Sequence, residues 1–164
     1  MTETALVFSP FGYLQLVYSP THLLQAVFCP EPPTALKAHP INAPSPGGIP
    51  AQFLRWLQEP LNAPVPPYRL VGTPFQEDVW RTAMQIPYGQ TQTYGALAKR
   101  LGRPTASRAV GQALGRNTLA LIVPCHRVIQ QSGQLGGFAW GLPLKQRLLH
   151  AEQAASLRAK LQPA

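Results

Sequence analysis

The chain has 164 residues, enough to bury a sizeable core as one domain or two small ones, and its hydrophobic fraction of 45% fits a globular protein. Only 12% of residues are charged, Pro occurs 19 times, and the net charge is +8. Residues 1–10 hold no basic stretch leading into an apolar one, and no apolar run approaches membrane-spanning length, so neither a signal peptide nor a membrane segment is expected and the cytoplasm is the expected location.

Residues 5–29 read as short strands. The run LVFSPFGYLQLVYS has apolar stretches broken by Pro10-Phe11-Gly12, a hairpin signal, and VFCP ends a further strand. Cys29 there reads as a buried small hydrophobe. Residues 31–50 repeat Pro, Gly and Asn and are expected to form a loop. Within AQFLRWLQE, 51–59, Phe53, Leu54, Trp56 and Leu57 recur at helical spacing, giving a short helix against the strands. A Pro-rich connector follows from 62 to about 72. These features place a supporting domain at 1–70 and a second domain at 71–164.

The second domain opens on Thr73-Pro74-Phe75-Gln76, a capping box with Pro at the first helical position. Phe75, Val79, Trp80, Ala83 and Met84 then form the apolar stripe of a helix ending near Ile86-Pro87. Thr93 can cap a helix in which Tyr94, Leu97, Ala98 and Leu101 share a face, and Gly102 stops it. A third helix is expected from Pro104 or Thr105 to Gly115, with Val110, Ala113 and Leu114 inward. ALIVP, 120–124, reads as a buried strand. LKQRLLHAEQAASLRAKLQ reads as a C-terminal helix with Leu144, Leu148, Ala151 and Ala155 as its stripe and Glu152 at the edge.

Charge is unevenly distributed. Residues 1–70 balance three basic against three acidic side chains, so the whole net charge falls in the remainder. Between Asp78 and Glu152 there is no carboxylate, yet nine lysines and arginines occur there: Arg81, Lys99, Arg100, Arg103, Arg108, Arg116, Arg127, Lys145 and Arg147. A solvated face normally mixes both signs, so this stretch reads as a surface for a polyanion, nucleic acid first. Two short helices around a Gly-containing turn make a helix-turn-helix. The second, TASRAVGQALG, carries Arg108 as its only long charged side chain. Its small residues serve either close helix packing or close approach to a groove. It lacks the Asn, Gln and Arg array of a base-reading helix, which points to DNA binding with little sequence preference.

In LIVPCHRVI, 121–129, one of only two cysteines stands beside a histidine. Chance adjacency is one reading. The other makes Cys125 a nucleophile, which needs a thiolate and therefore a base. Adjacent residues on an extended chain face opposite ways, so a bridging water or a bend at Pro124 must join Cys125 to His126. Glu152 is the only carboxylate beyond Asp78 that can hold the other nitrogen of the histidine. The spacings among Cys29, Cys125, His22, His39, His126 and His150 match no zinc pattern, so no metal site is expected.

PCHRV at 124–128, TYGALAKRLG at 93–102, ASRAVGQALGRN at 106–117, GFAWGLPLKQRLLHAE at 137–152 and TPFQEDVW at 73–80 together resemble the O6-alkylguanine-DNA alkyltransferases, also called methylated-DNA–protein-cysteine methyltransferases. The resemblance covers nearly all of 73–164, and 1–70 only in outline. It implies an α/β protein, with a small N-terminal α/β domain of ribonuclease H-like fold and a mainly α, winged-helix-like helix-turn-helix domain. By position, Cys125 resembles the alkyl acceptor, His126 and Glu152 its relay through water, and Tyr94 the residue that pushes on the target phosphate and assists the departing guanine. Arg108 resembles the side chain that fills the gap left by a flipped nucleotide, and Asn117 the hinge between recognition helix and active-site strand. Minor-groove contacts are implied for Thr105, Ala106, Ala109 and Gly111, and a substrate pocket for Val123, Pro124, Phe138, Ala139 and Trp140.

The reaction implied is a single irreversible transfer from O6-alkylguanine in double-stranded DNA to Cys125, by a monomer, with no cofactor and no obligate protein partner. Three departures from the family pattern stand out. Thr118 replaces the usual proline after Asn117, Phe138 replaces a common tyrosine, and Trp140, seen in some members, stands where others have glycine, serving either loop packing or a narrower pocket. The competing readings are a non-catalytic lesion sensor of the same fold, which would lack the cysteine, a helix-turn-helix regulator, which would carry base readers, and a cysteine hydrolase or redox enzyme, which would not need an acid-free surface.

Overall fold

The chain first turns where Pro10-Phe11-Gly12 marks a hairpin. In the computed structural model, which describes residues 1–31 and 47–162, β1 (Glu3–Ser9) pairs antiparallel with β2 (Gly12–Tyr18) and Ser9 lies opposite Gly12. Gly12 takes φ +123, open to glycine and strained for other residues, and the Ser9 hydroxyl donates to the Gly12 carbonyl at 2.8 Å. β3 (Leu23–Cys29) completes a meander of order β1-β2-β3. Leu14 and Leu16 of β2 and Leu23 and Ala26 of β3 are buried among more exposed neighbours, as a one-sided sheet requires, while β1 buries both Leu6 and Val7. Cys29 is half-buried, not buried as expected, because it ends the strand; its thiol donates to the Val27 carbonyl at 3.7 Å.

Helix α1 (Ile49–Gln58) packs on β1 and buries Ile49 and Phe53. It starts two residues before the expected helix because Pro50 fits the first turn, where its missing N–H has no intrahelical partner to lose. The rest of the expected loop, 32–46, lies outside the described residues. The free side of β3 is covered by two parallel bridges, Leu23 to Tyr68 and Ala26 to Leu119. The second is made by the Ala26 N–H to the Thr118 carbonyl and the Ala120 N–H to the Ala26 carbonyl, both 2.8 Å. Residues 118–120 thus belong with 1–71 in one compact unit, while 72–117 and 121–164 form another.

In the second unit, α2 (Pro74–Met84) begins with the complete capping box: Thr73 accepts from the Gln76 N–H, and the Gln76 side chain accepts from the Thr73 N–H. Val79, Trp80 and Ala83 are buried, and the Trp80 indole N–H donates to the Ala113 carbonyl at 2.8 Å. That bond ties α2 to α4 (Ser107–Gly115). β4 (Gln92–Thr93) leads directly into α3 (Tyr94–Arg100), capped by Thr93 and stopped at Gly102, which takes φ +70. α4 starts later than expected: the Ala106 N–H bonds the Arg103 carbonyl, so Pro104 and Thr105 lie in a tight turn ahead of the helix. Val110, Ala113 and Leu114 face inward, as their spacing requires.

α5 (Leu142–Leu161) closes the unit on a face rotated from the expected one. Its buried residues are Lys145, Leu148, Leu149 and Glu152. Counting only apolar residues placed the stripe on 144, 148, 151 and 155; two ionised groups with interior partners move it. The fold is mixed α/β, and among the described residues no helix is long and apolar enough to cross a membrane.

Candidate active site

After α4 the chain does not extend into the strand expected at 120–124. Leu121 takes φ +71, a left-handed conformation that costs a side-chain-bearing residue about 1–3 kcal/mol, and Cys125–Arg127 coil into one 3₁₀ turn. Only then comes a short strand, β5 (Val128–Ile129), parallel to β4 with Gln92 opposite Val128. Because β4 runs straight into α3, this pairing brings Tyr94 beside the segment that carries Cys125.

The turn changes the reasoning about the Cys-His pair. Alternation along an extended chain does not apply, yet the two side chains still serve different surroundings. Cys125, 6% exposed, contributes to a cavity of about 670 Å³, while His126, 1% exposed, is held by α5. The Asn117 side-chain amide donates to the Val123 carbonyl at 3.1 Å and to the Cys125 sulfur at 3.4 Å, linking the end of α4 to the turn. Burial pushes the Cys125 thiol up from its ordinary pKa. The Asn117 amide, the Lys145 charge and the backbone N–H groups of Cys125 and His126 oppose that push.

Glu152, 7% exposed, is the focus of the interior polar cluster. Its Oε1 lies 2.6 Å from His126 Nε2 and accepts from Arg127 Nη2 at 2.9 Å; its Oε2 accepts from Arg127 Nε at 2.7 Å and the Gly89 N–H at 3.3 Å. Burial raises the carboxyl pKa, but the His126 and Arg127 hydrogen bonds override it and bring it to about 2. An ionised carboxylate can only accept, so Nε2 carries the hydrogen of a neutral imidazole and Nδ1 keeps its lone pair. Burial lowers the His126 pKa, Glu152 raises it, and Arg127 and Lys145 lower it further.

Two members of this cluster were missed by sequence reasoning, which counted Arg127 and Lys145 among the cations of a surface. Both are interior. Arg127 forks onto Glu152 and donates from Nη1 to the Ile86 carbonyl at 2.9 Å. Lys145, 0% exposed, donates to the Val128, Leu135 and Gly137 carbonyls. Burial lowers its pKa to about 8, with Cys125 acting the other way. The available signal was position: Arg127 follows His126 on the same 3₁₀ turn, and Lys145 lies seven residues, about two α-helical turns, before Glu152 and so near the same face.

Around the cavity, Arg108, Gly111 and Gln112 of α4 face Gly136, Gly137, Phe138 and Ala139 of the loop before α5, with Tyr94 and Cys125 between. Gly136 takes φ +70, and a Cβ there would stand 2.9 Å from the Tyr94 hydroxyl oxygen, so this position requires glycine. Tyr94 donates to the Gly137 carbonyl at a long 3.4 Å, and its pKa is raised by burial and then by Cys125. A Cβ on Gly111 would make ordinary contact with the Tyr94 ring, at 3.6 Å.

The other expected positions divide. Arg108 is exposed on α4; Thr105 is exposed and Ala106 half-exposed, both ahead of the helix rather than within it, and Ala109 is half-buried on α4. Phe138 and Ala139 line the cavity, whereas Val123, Pro124 and Trp140 are not part of its wall. Val123 and Pro124 are buried in the chain leading to Cys125, and Trp140 packs edge-on against Phe138, centroids 5.4 Å apart at 76°.

Residues 74–154 match the family described as 6-O-methylguanine DNA methyltransferase, DNA binding domain. A methylated-DNA–protein-cysteine methyltransferase of Methanosarcina acetivorans is 57% identical over 81 residues, 49% of this chain and 52% of that protein. The matched stretch thus spans about half the length of that curated relative. Solved structures extend the likeness to both units. The O6-methylguanine methyltransferase of Mycobacterium tuberculosis is 36% identical, with 94% of each chain covered and a TM-score of 0.76. A structure of Mycobacterium tuberculosis OGT in complex with DNA is 32% identical over 92% of each chain, at TM-score 0.74. With the likeness running through both units and through the segment that carries Cys125, the chain belongs to the O6-methylguanine-DNA methyltransferase family.

Proposed function

We propose that this protein repairs DNA by direct reversal, moving the alkyl group of an O6-alkylguanine irreversibly to its own Cys125. The observation that carries the reading is the Cys125 sulfur on a cavity, held by Asn117, with His126 on the same turn and bonded to Glu152 of α5. A similar protein forms a complex with DNA, and double-stranded DNA is the proposed partner here. In this reading α3 and α4 are the helix-turn-helix of a winged-helix-like domain, and the N-terminal unit is a ribonuclease H-like support. The location remains the cytoplasm, as proposed from the sequence.

The chemistry starts from a problem of access. The alkyl carbon lies within the base stack, so the nucleotide must be extruded at a cost of a few kcal/mol. Arg108, exposed on α4 at the cavity, replaces the missing base. His126 Nδ1 takes the thiol proton through a water. The burial that disfavours a resting thiolate is offset only in part by the Asn117 amide, the Lys145 charge and two backbone N–H groups. Sulfur attacks the alkyl carbon, the carbon–O6 bond breaks, and the electron pair leaves with guanine. Tyr94, whose hydroxyl makes only a weak bond to Gly137, donates toward that developing charge. The product is a thioether that no group in the cavity can cleave, so each molecule acts once.

The test is the intact mass after incubation with duplex DNA containing O6-methylguanine. The expected result is one methyl in place of one hydrogen, on the peptide carrying Cys125. Turnover with an unmodified protein, or tight binding with no mass change, would overturn the reading.

A further inference from the structure

Arg127 is buried, charged and unused by the mechanism above, although it shares its turn with Cys125 and His126. We propose that Arg127 is a positioning residue that neutralises Glu152, so that His126 is oriented by the carboxylate yet rests uncharged and able to accept the Cys125 proton. The inference rests on the proposed transfer to Cys125 and deepens it.

The geometry is asymmetric. Glu152 offers two oxygens; Arg127 takes one bond on each, through Nε at 2.7 Å and Nη2 at 2.9 Å, while His126 takes one, at 2.6 Å. A fork of this kind satisfies the carboxylate charge independently of the imidazole. Nη1 is anchored on the Ile86 carbonyl, and the guanidinium lies 5.3 Å from the Tyr88 ring centroid, so the fork cannot swing away without losing both. Without Arg127, Glu152 would keep the Gly89 N–H and His126 as partners but no neighbouring cation, and its nearest means of charge compensation would be an imidazolium. A histidine kept protonated in that way cannot serve as a base.

The charged groups bearing on His126 come from two elements, Glu152 and Lys145 on α5 and Arg127 on its own turn. Tyr88, on the connection between α2 and β4, bears on Glu152 instead: burial and then Glu152 raise its pKa. Burial is the largest influence and disfavours the charged imidazole. Glu152 favours it, and Arg127 and Lys145 disfavour it again. Removing Arg127 therefore leaves Glu152 opposed only by burial and by Lys145, whose own pKa of about 8 keeps it charged at neutral pH.

The experiment compares Arg127→Gln and Arg127→Lys with the unaltered protein, using two readouts: NMR titration of the His126 ring, and the single-turnover rate of methyl transfer from duplex DNA against pH. In Arg127→Gln, which loses the charge, the histidine should titrate about one pH unit higher, and the acid limb of the rate profile should move up with it. Arg127→Lys keeps a charge but not the fork; its rate falls, while its histidine titrates as in the unaltered protein. A purely structural role would lower the active fraction and leave both limb and titration in place, and that result overturns the proposal. If Arg127→Gln does not fold, Arg127→Lys decides: a lowered single-turnover rate constant of the active molecules with an unmoved titration supports the proposal, and an unchanged rate constant or an upward shift overturns it. The ring titration needs no transfer, so a failure of the alkyl-acceptor reading shows as absent methylation, separately from a failure here.

Discussion

The nine basic side chains between Asp78 and Glu152 look alike in the sequence and belong to two different environments. Arg81, Lys99, Arg100, Arg103, Arg108, Arg116 and Arg147 are exposed, whereas Arg127 and Lys145 are buried against carbonyls and a carboxylate. The exposed ones spend part of their charge locally. Arg81 pairs with Glu77 at 2.7 Å, Arg100 donates to Gln92 and Gln85, and Arg103 lies over the Phe75 ring. Such contacts are worth little in water and leave the charge free to meet phosphates. The buried pair is different in kind, since removing Arg127 would strand Glu152 and the Ile86 carbonyl, and removing Lys145 the Val128 carbonyl, all buried. An acid-free stretch therefore has two readings here: an exposed surface proposed to meet DNA, and an interior whose single carboxylate, Glu152, is already engaged.

The sharpest way to break this division is at the sulfur both regions are proposed to serve. Cys125→Ser should abolish methyl transfer, because a hydroxyl is a far weaker nucleophile, yet leave DNA affinity unchanged, because the exposed cations remain. Gel-shift titration with single-turnover transfer measures both. A variant that still transfers at near the original rate would remove Cys125 from the chemistry; one that loses DNA binding would show that the two regions are not separable.

The interior cluster makes its own prediction about stability. The Glu152 carboxyl is raised by burial but brought by His126 and Arg127 from an ordinary 4.5 to about 2. A depressed carboxyl pKa stabilises the fold fully above the ordinary value and loses that contribution as pH falls toward the folded value. The window is therefore about pH 4.5 down to about 2, and the amount is about 3 kcal/mol. Urea unfolding followed across that range should show the loss in the unaltered protein. In Glu152→Gln stability should be lower at neutral pH and flatter through the same window. An equally steep acid loss in the variant would mean that another carboxyl carries it.

What the sequence revealed, and what it hid, follows the same line between local and distant causes. The capping box at Thr73, the cap at Thr93, the hairpin at Gly12 and the inward face of α4 depend on neighbours within a few residues, and each was readable. Residues 120–124 were misread because ALIVP has strand composition, while its conformation is set by remote partners: Ala26 holds Ala120, and Leu121 then turns left-handed. Arg127 and Lys145 were assigned to the surface because charge alone predicts exposure. Their partners, at 86, 128, 135, 137 and 152, lie on four separate segments that only the fold assembles. The approximate face of α5 failed for that reason, although Glu152 itself could be singled out by the lack of any rival acid.

For the exposed group, Arg108 gives a smaller and more selective effect. It is the one long charged side chain of α4 and it lines the cavity. If it fills the space of an extruded nucleotide, Arg108→Ala should slow transfer from duplex DNA about tenfold to a hundredfold, equivalent to part of the unstacking cost. Reaction with free O6-benzylguanine, which needs no extrusion, should hardly change. Equal losses on both substrates would move Arg108 from the DNA side of the comparison to the pocket.

The smallest effect is expected at Trp140, which the cavity wall does not include. Its indole meets Phe138 edge-on at 5.4 Å, so its influence on substrate size has to pass through Phe138, which does line the cavity. An edge-to-face pair is worth about 0.5–1.5 kcal/mol, and losing it would free Phe138 to yield to a larger group. Trp140→Gly should then speed transfer from O6-benzylguanine by about twofold to tenfold and leave methyl transfer nearly unchanged. Phe138→Ala removes the wall itself and should give the larger gain. Because one residue acts through the other, the double variant should be no faster than Phe138→Ala alone. Gains that multiply would show Trp140 meeting the substrate directly, and no gain from Trp140→Gly would confine it to holding the loop.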